Sequence, residues 1–155
     1  MYIVEYKRYS TLSYIIFPAG RDKAVAQRGY GKRGHMTTKE CYELMGADYE
    51  DVLGRLMTEK LVKKFLYKFA DARDMEELKT SLEAKDYNTA FRMAHNLKGV
   101  CANLSITRLG ASSSELCEEL RDGNYSDKVE PLLAAVLADY EATLEAIKKL
   151  QAEEG

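Results

Sequence analysis

His95 is the residue in this 155-residue chain whose type and neighbours could do chemistry. It stands in Arg92-Met93-Ala94-His95-Asn96-Leu97-Lys98-Gly99, with a cation three residues before it and another three residues after. At this spacing both cations share a helix face with the imidazole, one turn to either side. A neutral imidazole nitrogen is a nucleophile, and flanking cations would stabilise an anionic group, such as a phosphoryl group, once it is bound there. Gly99, at i+4, is a costly residue for a helix interior. Its compensation would be steric, clearing space beside the ring for an incoming partner.

A histidine on a helix is more often surface decoration or a hydrogen-bonded core residue, so the face it occupies must be tested. At about 100° per residue, Ala90, Met93, Ala94, Leu97, Val100, Cys101 and Leu104 gather on one side as a core stripe. His95 falls opposite the centre of that stripe. Within about 60° of it on the wheel lie Asn88, Phe91, Arg92, Lys98, Gly99 and Ala102. The expectation is an exposed histidine.

The elements that must hold it can be read from capping residues and apolar period. Thr38 is expected to cap a short helix running through Met45 and ended by Gly46, and Asp48 a second containing Val52, Leu53 and Leu56. Thr58 opens an apolar stripe of Leu61, Phe65, Phe69, Ala72, Met75, Leu78 and Leu82 at steps of three and four, which predicts one helix over 58–85, with a bend possible near Asp71–Asp74. Asp86-Tyr87-Asn88 makes a turn, and Asp86 or Asn88 caps the histidine helix to Leu104. Ser105-Ile106-Thr107 reverses the chain, and Thr107 is expected to cap a helix to about Arg121 with Leu109, Ser113, Leu116 and Leu120 inward. Gly110 and Ser112–Ser114 are small enough for these two helices to approach closely. The last helix begins near Asp127–Pro131 and runs to about Gln151 through Leu132, Leu133, Val136, Tyr140, Leu144 and Ile147. The fold class is therefore all-α, an antiparallel up-down-up-down four-helix bundle preceded by short N-terminal helices.

Composition agrees. There is no Trp, and the two prolines, Pro18 and Pro131, leave the whole stretch between them free for helix. Net charge is −2, but residues 1–35 balance at +5 and the remainder at −7. An acidic body argues against nucleic acid as the main partner. Residues 1–35 are basic and tyrosine-rich and carry no helical period. The run Gly31-Lys32-Arg33-Gly34-His35 before Met36 suits a purine-rich coding stretch like those that precede bacterial start codons. Residues 1–35 are therefore expected to be disordered or outside the native chain, with the domain spanning 36–155. Leu12–Ala19 is too short to cross a membrane and is cut by Pro18, so no stable membrane association is expected. Cys41, Cys101 and Cys117 match no metal or redox spacing and read as free thiols of a cytoplasmic protein.

The segment Ala94-His95-Asn96-Leu97-Lys98-Gly99 resembles the A-H-x-L-K-G signature of histidine-containing phosphotransfer (HPt) domains. Lys85-Asp86-Tyr87 before it, and Ala102-Asn103-Leu104 and Leu109…Leu116…Glu119 after it, are similar to that family too. The likeness covers about residues 38–150. It implies a phosphorelay intermediate: His95 would take a phosphoryl group from the aspartyl phosphate of a receiver domain and pass it to another receiver. Lys98 would assist, and Phe91, Arg92, Gly99 and Ala102 would form the docking surface. The partners implied are receiver domains of response regulators or hybrid histidine kinases. The receiver would bring the Mg²⁺, so the protein would need no cofactor of its own and would be a phosphocarrier rather than a kinase.

Rival chemistries lack their residues. A di-metal bundle needs Glu-x-x-His pairs, but Arg92 stands three before His95, and His35 is isolated, so no zinc ligand set forms. There is no glycine-rich nucleotide loop. The remaining alternative is a binding module that docks receivers without turnover, against which stand His95, Lys98 and Gly99 together.

Overall fold

The computed structural model describes residues 35–154. The expectations for the basic segment ahead of Met36 therefore lie outside the described residues, which make up the helical body.

Seven helices are present among the described residues: α1 (Thr38–Leu44), α2 (Tyr49–Leu56), α3 (Glu59–Ala70), α4 (Asp74–Glu83), α5 (Tyr87–Leu104), α6 (Thr107–Leu120) and α7 (Val129–Glu154). The described residues contain no strand. The regular structure of the described residues is all helical and the long helices form a bundle, with α4 packed on α5, α5 on α6, and α6 on α7, while α1 and α3 also reach α7. Among the described residues no helix is long and apolar enough to cross a membrane.

The helix starts follow capping chemistry. Asp48 accepts from Asp51 N at 3.0 Å, Thr58 from Leu61 N at 3.3 Å, and Asp86 from Thr89 N at 3.1 Å, each relieving an amide with no partner inside its helix. Two expected caps are corrected. Thr37, not Thr38, caps α1, in a capping box with Glu40. Thr38 is buried instead and its hydroxyl donates to Glu59 Oε1 at the start of α3. Thr107 does not cap α6, whose N-cap position is Ile106 with no side-chain cap. Its hydroxyl donates to the Gly46 carbonyl at 2.8 Å, tying the α5–α6 turn to the turn after α1.

The single helix expected over 58–85 is two, α3 and α4, interrupted at Asp71–Arg73. The expected stripe holds at Phe69, Met75 and Leu78, which are buried, but is out of phase along the first turns of α3 and at Ala72. Leu61 and Phe65 are 39% and 40% exposed and Ala72 is exposed, whereas Val62 and Leu66 are fully buried beside Phe69. Adjacent apolar pairs, Leu61-Val62 and Phe65-Leu66, make both phases helical in period. Packing of α3 against α5 and α7 selects the second pair members, and Phe69 meets Tyr140 of α7 edge to face, at 5.7 Å between centroids.

Close approach of α5 and α6 depends on Gly110. A Cβ there would stand 3.3 Å from Cys101 Cβ, so even alanine would be tight. The turn between the helices places Ser105 in the left-handed region (φ 55°), and its carbonyl accepts from Asp48 N at 2.9 Å. That bond and the one from Thr107 fix the α5–α6 hairpin against α1 and α2. All three cysteines are free and buried. Burial pushes the Cys41 and Cys101 thiols up to about 12, which leaves them protonated and unreactive.

Candidate functional site

The site is built on α5. Ala90, Ala94, Leu97, Cys101 and Leu104 are its buried residues, at steps of four, three, four and three. They form one narrow stripe that fixes the rotation of the helix. Met93 and Val100, expected in the same stripe, are only half-buried at its edge. His95 lies about 140° from the stripe's centre and is exposed, as are Arg92, Gly99 and Ala102. No atom lies within 4 Å of the Cβ position at Gly99, so this glycine faces open space and does not serve helix packing.

Phe91 and Cys117 stand beside the imidazole. Phe91, one turn earlier, stands 6.0 Å away between ring centroids at 33° between planes. Cys117 of α6 brings its Sγ to 4.0 Å from His95 Nδ1. One ring nitrogen thus faces the protein. Nε2 is the nitrogen at the far end of the ring from Cβ, and the residue as a whole is exposed.

The two cations do not sit symmetrically about the ring, as their sequence spacing suggested. Arg92 Nη2 donates to Thr89 Oγ1 at 3.0 Å, towards the start of α5, where Thr89 Oγ1 in turn donates to Asp86 Oδ2 at 2.7 Å. These hydrogen bonds from Thr89 hold the Asp86 carboxyl below the usual carboxylate range. Lys98 reaches the other way, to Glu118 Oε1 of α6 at 3.9 Å. Glu118 is bound more closely by Arg121, whose Nε donates to its Oε2 at 3.0 Å. Arg121 first, and Lys98 more weakly, keep the Glu118 carboxyl below its ordinary range. The Lys98–Glu118 contact is long and solvent-exposed on both sides, so it contributes little to stability and Lys98 can leave it for a stronger anion. On its other flank α5 borders a cleft of about 730 Å³ whose apolar floor includes Leu56, Phe65, Phe69, Val100 and Leu104, with Arg55, Lys68, Asp71, Asp74 and Asn103 also lining it.

An exposed imidazole with one nitrogen beside a buried thiol and a loosely paired lysine one turn away can receive an electrophile and neutralise the charge it brings. The family model of the Hpt domain matches residues 69–152, more than half of the chain. The chain belongs to the Hpt family. No curated protein and no solved structure matches it. The match begins at Phe69, near the end of α3, so it takes in α4 to α7 and the whole of the histidine helix. Histidine phosphotransfer in two-component signalling is the business of Hpt domains, which carry phosphoryl groups rather than catalyse turnover.

In this Hpt chain the structure places Phe91, His95, Lys98, Gly99 and Ala102 on one side of α5, with Lys98 only half-buried. It sends the Arg92 guanidinium towards Thr89. Two residues beside the histidine and its lysine were not foreseen from the sequence, Cys117 and Glu118, both on α6. Cys117 follows Leu116 on a face that the apolar period marks as inward, and that was its only signal. Among the described residues no group of His, Cys, Asp and Glu could hold a metal ion.

Proposed function

We propose that His95 is the phosphoryl acceptor of this Hpt domain and that the protein is the intermediate of a phosphorelay. An imidazole nitrogen attacks the phosphorus of a receiver's aspartyl phosphate. The N–P bond forms as the P–O bond breaks, and the electron pair leaves on the receiver's carboxylate. The reverse step hands the group to a second receiver. Such transfer depends on alignment and charge neutralisation more than on acid–base work, and a neutral imidazole needs no separate base.

One observation supports this reading above the rest: the one histidine in the family-matched span is exposed in mid-helix, outside the buried stripe. Lys98, released from Glu118, neutralises the phosphoryl oxygens. Phe91, Gly99 and Ala102 form the surface on which the receiver sits, with Arg92 at its edge. The acidic pocket and Mg²⁺ belong to the receiver, and the protein has neither a cofactor nor kinase activity of its own. Its partners are receivers of response regulators or hybrid kinases, which puts its work in the cytoplasm. The domain spans 36–155.

The test is a panel of phosphorylated receiver domains incubated with the protein, followed by mapping of the label. Label is expected on His95, and His95→Gln should accept none while melting at nearly the wild-type temperature, because the residue is outside the core. Label on another residue, or on the glutamine variant, would refute the assignment.

A further inference from the structure

We propose that Cys117 is a positioning residue for His95: its sulfur accepts the Nδ1–H of the imidazole, selects that tautomer, and leaves the Nε2 lone pair facing outward as the attacking atom. The proposal rests on the phosphotransfer reading and specifies which nitrogen carries it. Three features of the structure lead to it. The Cys117 Sγ lies 4.0 Å from His95 Nδ1, within the reach of a hydrogen bond to sulfur. The thiol is 1% exposed although the histidine it meets is exposed, so its contact with the ring is made from a fixed, packed position on α6. The ring is flanked by Phe91 at a tilt of 33°, which limits the planes it can adopt.

Two hydrogen-bonding arrangements are open to a thiol beside a neutral imidazole. If S–H donated to Nδ1, the ring's own proton would sit on Nε2 and that nitrogen could not attack. If Nδ1–H donates to sulfur, Nε2 keeps its lone pair in the ring plane, directed away from Cβ and into solvent. Only the second makes a nucleophile of the nitrogen that a bulky partner can reach. Free imidazole side chains in water favour the proton on Nε2, so a partner at Nδ1 is needed to reverse that preference, as partners of metal-bound histidines do. The group is suited to this as a neutral acceptor. Burial raises the thiol, although Lys98 opposes that effect. After transfer, the N–P bond occupies Nε2, the Nδ1–H remains on sulfur, and no proton has to leave the ring.

Nitrogen-15 spectra of the imidazoles test this in the full chain, which has only two histidines; the His95→Gln spectrum assigns them. With the imidazole neutral, wild-type His95 is expected to carry its proton on Nδ1, and the phosphorylated protein to show nitrogen–phosphorus coupling at Nε2. Cys117→Val, close in size but unable to accept, should move the proton towards Nε2 and slow phosphoryl acceptance roughly threefold to tenfold, the worth of one hydrogen bond. Cys117→Ser, whose shorter C–O bond draws the acceptor back from a ring already 4.0 Å away, should lose the wild-type tautomer as the valine variant does. A proton on Nε2 in the wild type would overturn the proposal, whether or not the variants fold. So would a folded Cys117→Val protein with unchanged tautomer and rate. If no receiver labels the wild type, the phosphotransfer reading fails, and the proposal falls with it as an account of the attacking atom; the spectra then report the Cys117–His95 contact alone.

Discussion

Replacing Gly99 separates the stability of this domain from its use. The position is exposed, lies mid-helix in α5, and has no atom within 4 Å of where a Cβ would be. Alanine there should meet nothing and remove the entropic handicap of glycine, a gain of about 0.8–1.0 kcal/mol. For an ordered body of this size that is a rise in melting temperature of roughly 3–5 °C. Leucine should also stabilise, since its helix propensity is close to that of alanine. Its side chain, however, projects about 40° around the helix and about 6 Å along it from His95. That is space a receiver must enter for its phosphorus to come within about 3–3.5 Å of the ring nitrogen. A displacement of about 1 Å at that distance costs on the order of a hundredfold, so Gly99→Leu should transfer about that much more slowly while melting higher than the wild type. Thermal circular dichroism and a receiver-to-protein transfer assay on one preparation give both numbers. A lower melting temperature for Gly99→Ala would contradict the open space at this position. A stable Gly99→Leu protein with normal transfer would mean that receivers approach His95 from another side.

Gly110→Ala should do the opposite of Gly99→Ala and lower the melting temperature, because overpacking against Cys101 Cβ costs about 1–3 kcal/mol and outweighs the gain of about 0.8–1.0 kcal/mol in helix propensity; denaturant curves read the difference. Lys98→Ala should slow transfer without abolishing it and make the rate less sensitive to salt, because an exposed cation lowers the barrier but forms no bond; an unchanged rate would make Lys98 a bystander. Glu59 is held below the ordinary glutamate range, first by the Thr38 hydroxyl and then by Lys63. A depressed carboxylate contributes stability above its unfolded pKa and loses it as the pH falls through the lower folded value. Acid melts should therefore be level near neutrality and fall below the glutamate range, and Thr38→Val should flatten part of that fall.

How much of this was legible in the sequence depended on how far apart the interacting residues are along the chain. Asp48, Thr58 and Asp86 were readable as caps because each bonds an amide three residues on. Thr38 and Thr107 have the same side chain and the same local setting, yet their hydroxyls go to Glu59 and to the Gly46 carbonyl, 21 and 61 residues away. Nothing local distinguishes a capping threonine from one recruited by a distant helix. The phase of α3 failed for a related reason. Leu61-Val62 and Phe65-Leu66 offer two stripes of equal period, and only the neighbours of α3 decide which is buried.

The candidate site divides along the same line. The exposure of His95 and the openness at Gly99 are properties of one helix, and the four-three spacing of Ala90, Ala94, Leu97, Cys101 and Leu104 determines them with no knowledge of the partner helices. What faces the histidine from across the hairpin is a different matter. Cys117 and Glu118 reach His95 and Lys98 because α6 packs closely enough on α5 to need a glycine at 110, and because its rotation turns residue 117 inward and residue 118 outward. That rotation follows from the burial of Leu109, Leu116 and Leu120, which are legible as core but do not say which part of α5 they meet. The nucleophile is thus specified locally, while the groups that orient it and partner its cation come from a second helix. A substitution at 117 or 118 can consequently change the chemistry of His95 while leaving every residue of its own helix as it was.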